Sequence, residues 1–112
     1  MPGALSTHVL DTAQGRPAPG VKIELWSLAG PSRTLVKTVV TNADGRTDTP
    51  LLTVAEMRAG EFELVFFVGD YFKREQPFLD RVPVRFRIAS PEASYHVPLL
   101  CSPWSYTTYR GS

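Results

Sequence analysis

The sequence has 112 residues, of which 43% are hydrophobic and 21% are charged, and its formal net charge is +1. This length and composition are typical of one globular domain, which can bury a core without a disulfide or a structural metal. The balanced charge, with no basic run, excludes the concentrated basic face of a typical nucleic-acid-binding protein.

Short segments with alternating apolar residues, separated by turn signals, run through most of the chain. The predicted strands are Leu5–Ala13, Val21–Leu28, Arg33–Thr41, Glu61–Val68, Val82–Ala89, Ser94–Cys101 and Trp104–Arg110. Glycine and proline in QGRPAPG, and the Asp-Gly pair in NADGR, predict turns between strands. Short strands at this spacing predict an all-β sandwich of two sheets with seven or eight strands.

Two segments interrupt the regular strand pattern. Asp70 is a suitable N-cap, good helix formers follow it, and Pro77 would stop a helix, so we predict one short helix from about Tyr71 to Gln76. Pro98 lies inside a predicted strand. Because proline cannot donate to a strand ladder, we expect an irregular or unpaired position there.

The N-terminus and the single cysteine bear on where the protein works. The first residues have neither the basic start nor the apolar run of a signal peptide, and no apolar stretch approaches the roughly 18 residues of a membrane span. One cysteine cannot form an internal disulfide, which fits a reducing compartment. These features predict a cytoplasmic protein without a membrane partner.

Few side chains are candidates for chemistry. The two histidines, His8 and His96, lie in predicted strands and point away from the main apolar face. A surface or hydrogen-bonded histidine is the ordinary explanation for such a position. Arg46 follows the Asp44-Gly45 turn, where an arginine is commonly exposed to solvent. From the pattern alone, none of these residues defines a site.

Other kinds of catalytic centre find little support. Zinc usually needs roughly three or four ligands, whereas the sequence offers two widely spaced histidines and a lone cysteine. We therefore expect neither a metal nor another cofactor. A Ser-His-Asp triad stays open but has no Gly-x-Ser-x-Gly elbow to support it. Cys101 ends an apolar strand, where a buried thiol is usually inert. Turn or packing roles suit Asp11, Asp48, Trp26 and Trp104.

Five segments share a pattern with one protein family: LSTHVLDTAQGRPAPGVKIEL, TNADGRTDTPLL, ELVFFVGDYF, PFLDRVPVRFRI and YHVPLLCSPWSYTTYRGS. They resemble the 5-hydroxyisourate hydrolases, the enzyme branch of the transthyretin-like family. The resemblance runs nearly end to end and is interrupted mainly near Gly30 and around Thr53–Gly60. Its most specific motif is the terminal Tyr-Arg-Gly-Ser, which transthyretin, the transport protein of this family, lacks.

The resemblance implies a sandwich of eight strands with one short helix, and residues 1–112 as a single transthyretin-like hydrolase domain. It also implies a homotetramer, formed as a dimer of dimers, with active sites in a channel at the dimer–dimer interface. The family hydrolyses 5-hydroxyisourate to 2-oxo-4-hydroxy-4-carboxy-5-ureidoimidazoline, on the route from urate to allantoin. This small molecule is therefore the implied substrate.

The family's site pattern matches this sequence residue by residue, without a substitution. The positions that the resemblance implies as catalytic are His8, Arg46, His96 and Ser112. The positions that it implies as substrate-binding are His8, Arg46, Tyr109, Arg110, Gly111 and Ser112.

These residue types suit the implied reaction, in which water attacks a cyclic amide-like carbonyl. A histidine with a pKa of about 6.5 is mostly neutral at neutral pH, yet basic enough to take a proton. We expect one of His8 and His96 to be the general base and the other to orient it or the substrate; the sequence does not decide between them. Arg46 would bind the flat ring and stabilise the transition state. Gly111 would allow a close approach of the backbone, and Ser112 would present its hydroxyl together with the chain's terminal carboxylate.

Two functions of other classes stay open. A carrier resembling transthyretin would hold a hydrophobic ligand in a central channel with apolar walls, which the polar candidate residues disfavour. A sandwich that only binds another protein predicts a monomer without turnover of a small molecule.

Overall fold

The computed structural model describes residues 3–112, which form two four-stranded sheets packed face to face. In chain order the strands are β1 (Leu5–Asp11), β2 (Arg16–Pro17), β3 (Lys22–Ala29), β4 (Ser32–Val40), β5 (Gly60–Phe66), β6 (Val82–Ile88), β7 (Tyr95–Cys101) and β8 (Tyr106–Thr108). Sheet I has the order β2-β1-β7-β8, and sheet II has the order β4-β3-β5-β6. The predicted all-β sandwich of two sheets and eight strands is confirmed.

The core lies between the two inner faces, because the strands alternate in burial. In β1 the side chains of Leu5, Thr7 and Val9 are buried, whereas those between them are half-buried on the outer face. Burial of each large apolar side chain contributes about 1.5–3 kcal/mol. The largest fully buried side chains include Phe62, Phe66, Phe72, Ile23, Leu25, Leu64, Ile88 and Leu99.

The segment predicted as a turn after β1 contains a short additional strand. In β2, Arg16 and Pro17 pair antiparallel with Asp11 and Leu10 at the edge of sheet I. An edge strand tolerates proline because one side of its backbone has no neighbouring strand, so the N–H that proline lacks is not needed there. The strand predicted from Leu5 to Ala13 accordingly ends at Asp11.

The bounds predicted for the helix are wrong, although residues 3–112 do contain a single short α-helix. Helix α1 spans Val68–Tyr71, and a 3-10 turn follows at Lys73–Glu75. Asp70 therefore lies inside the helix rather than at its N-cap. The buried Val68 and Phe72 anchor this segment in the core, so tertiary packing moves the start of the helix toward the N-terminus. Among residues 3–112, no helix is long and apolar enough to cross a membrane.

The pairing of β7 changes at Pro98, as the sequence predicts. On one side Pro98 lies opposite His8 in the parallel β1–β7 pair. On the other side the β7–β8 ladder ends one residue away, at Leu99 opposite Thr108, and the Thr108 hydroxyl donates to the Pro98 carbonyl at 2.8 Å. An isolated bridge then pairs His96 with Gly111 in the same register. This bridge holds the end of the chain along sheet I.

Candidate active site

Strands β1 and β7 bring the two histidines together. The strands are parallel and adjacent, with Ser6 opposite His96 and His8 opposite Pro98. His8 and His96 are therefore offset by two residues in the register of neighbouring strands, which places their Cα atoms roughly 8 Å apart. Both side chains are half-buried on the outer face of sheet I. Residues that are 88 positions apart in the sequence thus share one surface.

Arg46 is presented by a tight turn that Asn42 organises. The Asn42 side-chain oxygen accepts hydrogen bonds from the backbone N–H groups of Asp44 at 2.9 Å and Arg46 at 3.2 Å. The Asn42 N–H donates to the Arg46 carbonyl at 2.8 Å, which closes the turn. Gly45 has a φ of 74°, in the left-handed region that favours glycine. The Asp-Gly turn predicted from the sequence is confirmed.

The same turn docks directly on β1. The Val9 N–H donates to the Gly45 carbonyl at 2.8 Å, and the His8 Nε2–H donates to the Asp44 carbonyl at 2.9 Å. Because a carbonyl oxygen only accepts, this second bond keeps a proton on Nε2 of His8. The two contacts hold Arg46 beside the histidines.

We expect Gly45→Ala to disrupt this docking. An added Cβ would meet the Val9 carbonyl oxygen, and the left-handed backbone adds strain of its own. The variant should lose about 3 kcal/mol of unfolding free energy and most of its catalytic activity, because the turn that carries Arg46 would move.

Gly20→Ala is the matched control: Gly20 has a φ of 76° and open space around its Cβ position. That control should lose only about 1–2 kcal/mol and keep its activity. Chemical denaturation and steady-state kinetics of both variants measure the difference, and equal effects would contradict it.

The His96 ring is held on two sides. Its Nδ1 lies 2.8 Å from the hydroxyl oxygen of Ser6. On the other side the Gly111 N–H donates to the His96 carbonyl at 2.7 Å. A Cβ placed on Gly111 would lie only 2.6 Å from Cδ2 of His96, a separation that real side chains do not tolerate. Glycine at position 111 therefore lets the backbone approach the ring closely.

The surroundings of His96 keep its ring neutral at neutral pH. Partial burial lowers the pKa of His96 below its usual value, and the positive charges of Arg46 and His8 lower the pKa further. An open cleft of about 160 Å³ lies beside this cluster. Its lining residues are Ser6, Thr7, Arg46, Thr47, Asp48, Thr49 and Pro50. Arg46 contributes a fixed cation to the wall of this cleft.

We expect the pKa of His96 to depend on Arg46. In the unmodified protein, NMR titration should give His96 a pKa below 6.5, and Arg46→Gln should raise that pKa because a nearby positive charge is removed. An activity that requires neutral His96 would be complete above this pKa and would be lost as the pH falls through it. The same titration of Arg81→Gln, in the connection before β6, is the control. An unchanged His96 pKa in Arg46→Gln would show that the two groups do not interact.

The side chains of the four terminal residues do not all lie at the same place in the structure. The shared register of Leu99–Thr108 and His96–Gly111 places Tyr109 opposite Pro98, on the face that carries the histidines. Arg110 points elsewhere: its guanidinium donates to the Ser94 carbonyl at 3.2 Å and lies 4.2 Å from the centre of the Tyr95 ring.

Of the predicted site residues, the structure therefore brings together those on one face of sheet I. They are His8, Arg46, His96 and Gly111. Tyr109 is on the same face but is exposed, Ser112 is also exposed, and Arg110 does not join the cluster within a single chain.

Sequence reasoning missed two residues that shape this site. Ser6 contacts His96 directly, and Asn42 builds the turn that carries Arg46. Asn42 had a readable signal, because asparagine at the start of an Asn-x-Asp-Gly stretch favours such side-chain-to-backbone bonds. Ser6 had a weaker one: it lies two residues before His8 and so shares its face, but its partner depends on strand pairing.

Other chemistry is less well supported by the described residues. Within residues 3–112, no group of three or more His, Cys, Asp or Glu side chains is arranged to hold a metal ion. Burial, followed by the negative charge of Asp11, raises the pKa of the Cys101 thiol to about 12. The thiol therefore stays protonated at neutral pH and is a poor nucleophile.

An eight-stranded sandwich of this topology, with a histidine–arginine cluster on the outer face of one sheet, defines a transthyretin-like protein. The sequence profile of the HIUase/Transthyretin family matches residues 5–111, and the chain belongs to this family. The chain is 58% identical over 116 residues to 5-hydroxyisourate hydrolase from Mesorhizobium japonicum, covering 98% of this chain and 93% of the relative. It is 54% identical to 5-hydroxyisourate hydrolase 2 from Rhizobium meliloti, with coverages of 98% and 97%.

Solved structures agree with this assignment. (S)-allantoin synthase superposes with a TM-score of 0.89 and 48% identity, covering 98% of this chain but only 44% of the longer synthase chain. Transthyretin from Sparus aurata superposes with a TM-score of 0.88 and 28% identity, with 96% of each chain covered. The fold is thus shared by proteins with different names, and the function has to be argued from the site.

Proposed function

We propose that the protein hydrolyses 5-hydroxyisourate and that residues 1–112 form a single hydrolase domain. One observation carries the proposal: the fold places His8, Arg46 and His96 together at the outer face of sheet I. These groups supply a base, an orienting group and a fixed cation, which hydrolysis of a cyclic amide requires. The relatives with 54% and 58% identity are named for this substrate.

Within this proposal, His96 is the general base. Burial and two neighbouring positive charges lower its pKa, so the ring is neutral and ready to accept a proton. Ser6 occupies its Nδ1 side, which leaves Nε2 for the reaction. His8 is suited to an orienting role, because its Nε2–H is already engaged by the Asp44 carbonyl.

The proposed reaction has two steps. Nε2 of His96 takes a proton from water while the water oxygen bonds to the ring carbonyl carbon, which forms a tetrahedral oxyanion. The carbon–nitrogen bond of the ring then breaks, and the imidazolium of His96 returns its proton to the departing nitrogen. The carboxylic acid that forms releases its proton to solvent, so the product is a carboxylate with a ureido group, 2-oxo-4-hydroxy-4-carboxy-5-ureidoimidazoline. One water molecule is consumed, and no oxidant or cofactor is needed.

Arg46 binds the substrate and stabilises the oxyanion. Its guanidinium is charged at every working pH, and its planar fork matches adjacent oxygen and nitrogen atoms of a purine-derived ring. A positioned donor of this kind contributes about 3–4 kcal/mol to transition-state stabilisation in a site that excludes water. The turn that docks on β1 supplies the positioning.

The complete site is proposed to form in a homotetramer, a dimer of dimers in the cytoplasm. The clustered face of sheet I is open in a single chain, with Tyr109 57% exposed. A second copy across this face would exclude water from the cluster and bring Tyr109, Arg110 and Ser112 toward substrate. Size-exclusion chromatography with light scattering should give the mass of four chains. A monomer with full activity would contradict this arrangement.

The decisive test is the fate of the substrate itself. 5-Hydroxyisourate is generated with urate oxidase, and its ultraviolet absorbance is followed with and without the purified protein. We expect decay well above the spontaneous rate, with a product identified by NMR as the ureidoimidazoline. Decay at the spontaneous rate would overturn the enzyme proposal and favour the carrier or the binding sandwich.

A further inference from the structure

The Ser6 hydroxyl is in direct contact with the imidazole ring of His96. The Ser6 hydroxyl oxygen lies 2.8 Å from Nδ1 of His96, across a separation of 90 residues in the sequence. Both side chains are half-buried on the outer face of sheet I, and they are direct partners in the β1–β7 register. The pair therefore sits on neighbouring strands and not on a mobile loop.

The backbone around this pair is tied at several points. The Tyr95 N–H donates to the Ala4 carbonyl at 2.9 Å, and the Leu5 N–H donates to the Leu52 carbonyl at 3.0 Å. The residues that flank Ser6 and His96 in sequence thus have their own partners. This fixes the direction from which the hydroxyl meets the imidazole.

The contact has a consequence for the proton on the imidazole. A neutral histidine carries one N–H, and its position follows from the bond that the other nitrogen makes. If the Ser6 oxygen accepts from Nδ1–H, Nε2 has a free lone pair and can act as a base. The same bond persists after Nε2 takes a proton, because Nδ1 remains a donor in the imidazolium. The hydroxyl then needs no reorientation during the reaction.

We propose that Ser6 is a positioning residue that holds the proton of neutral His96 on Nδ1 and directs Nε2 toward the substrate. This inference rests on the proposed hydrolase function, in which His96 is the base. Gly111 confines the opposite side of the ring, because its backbone lies against Cδ2. The ring is thereby held between a hydroxyl on one side and the chain backbone on the other.

The kinetic test compares Ser6→Ala with Ser6→Thr. Ser6→Ala removes the hydroxyl and should lower kcat about 10- to 100-fold, the range expected when a hydrogen bond to a charged group is lost. KM should change less than about twofold, because Ser6 acts through His96 and not on substrate binding. Ser6→Thr keeps a hydroxyl on the same carbon and should restore most of kcat. Ser27→Ala on β3, in the other sheet, is the matched control and should leave both constants unchanged.

A spectroscopic readout separates this inference from the activity. In protein labelled with ¹⁵N at histidine, the unmodified chain at pH 8 should show Nδ1 of His96 protonated and Nε2 bare. Ser6→Ala should shift His96 toward the Nε2–H tautomer, whereas Ser6→Thr should retain the original pattern.

The outcomes distinguish the two proposals. If the unmodified protein turns over 5-hydroxyisourate but Ser6→Ala retains its kcat, the positioning role of Ser6 is wrong while the hydrolase function stands. An Nε2–H tautomer in the unmodified protein would also overturn the role of Ser6. If the substrate is not turned over at all, the hydrolase proposal fails, and the ¹⁵N spectra still decide whether Ser6 sets the tautomer.

Discussion

Replacing Arg46 with glutamine should lower kcat/KM roughly 100- to 1,000-fold, the typical loss when one donor to an oxyanion is removed. Arg46 is exposed, and its position is set by backbone bonds of its turn and by Asn42, not by its own side chain. The fold should therefore survive, with a change in unfolding free energy within about 0.5 kcal/mol. Stopped-flow assays with 5-hydroxyisourate and thermal unfolding of the same preparation measure both effects.

Two further variants sharpen this test. Arg46→Lys keeps the charge but loses the planar fork, so it should recover only part of kcat/KM. Arg74→Gln removes an exposed arginine from the 3-10 turn Lys73–Glu75 and should have no kinetic effect. If Arg46→Gln retained the kinetics of the unmodified protein, the role given to Arg46 would be withdrawn.

Deleting Tyr109–Ser112 should reduce turnover to the spontaneous rate. The deletion removes the extended segment that lies beside the His96 ring. It also removes the 2.7 Å hydrogen bond from the Gly111 N–H to the His96 carbonyl. The cost to stability should be small, about 1 kcal/mol, because that segment is mostly exposed and contributes few backbone bonds. Kinetic assays of the truncated chain should therefore show a loss of activity, whereas thermal unfolding should show only a small loss of stability.

A point substitution separates the backbone approach from the side chains of the tail. Gly111→Ala keeps every other terminal residue but places a Cβ against Cδ2 of His96. It should displace the ring or the tail and lower kcat at least about 10-fold. Gly30→Ala, at a glycine with open space around its Cβ position, should affect stability but not kcat. Full activity in the truncated chain would show that the tail is not part of the site.

Period-two alternation and turn chemistry predict much of the fold from short stretches of sequence. The apolar positions of β1 and β7 assign His8 and His96 to outer faces, and the structure places both side chains there, half-buried. The Asp44-Gly45 pair predicts a left-handed turn, which is present at Gly45. The missing N–H of Pro98 predicts a break in pairing, which occurs on the β8 side. Each of these features depends on local backbone chemistry, and local chemistry is set by a few consecutive residues.

Where the helix begins was decided by packing. Asp70 is a good N-cap by propensity, yet the helix starts at Val68, because burial of Val68 and Phe72 outweighs the modest preference of a cap. The direction of Arg110 has a similar origin. Sheet pairing sets the register of Arg110 and so brings its guanidinium over the Tyr95 ring. No pattern within the last four residues predicts this contact.

The sequence by itself determined the kind of fold, the faces on which the candidate residues lie and the turn that presents Arg46. Only the tertiary structure decided that β1 pairs with β7 in parallel, which sets His8, His96 and Ser6 on one surface. The physical reason is the range of the interactions. Turns and alternation arise between neighbours in the chain, whereas strand pairing arises from burial shared by the whole sandwich and joins residues about 90 positions apart.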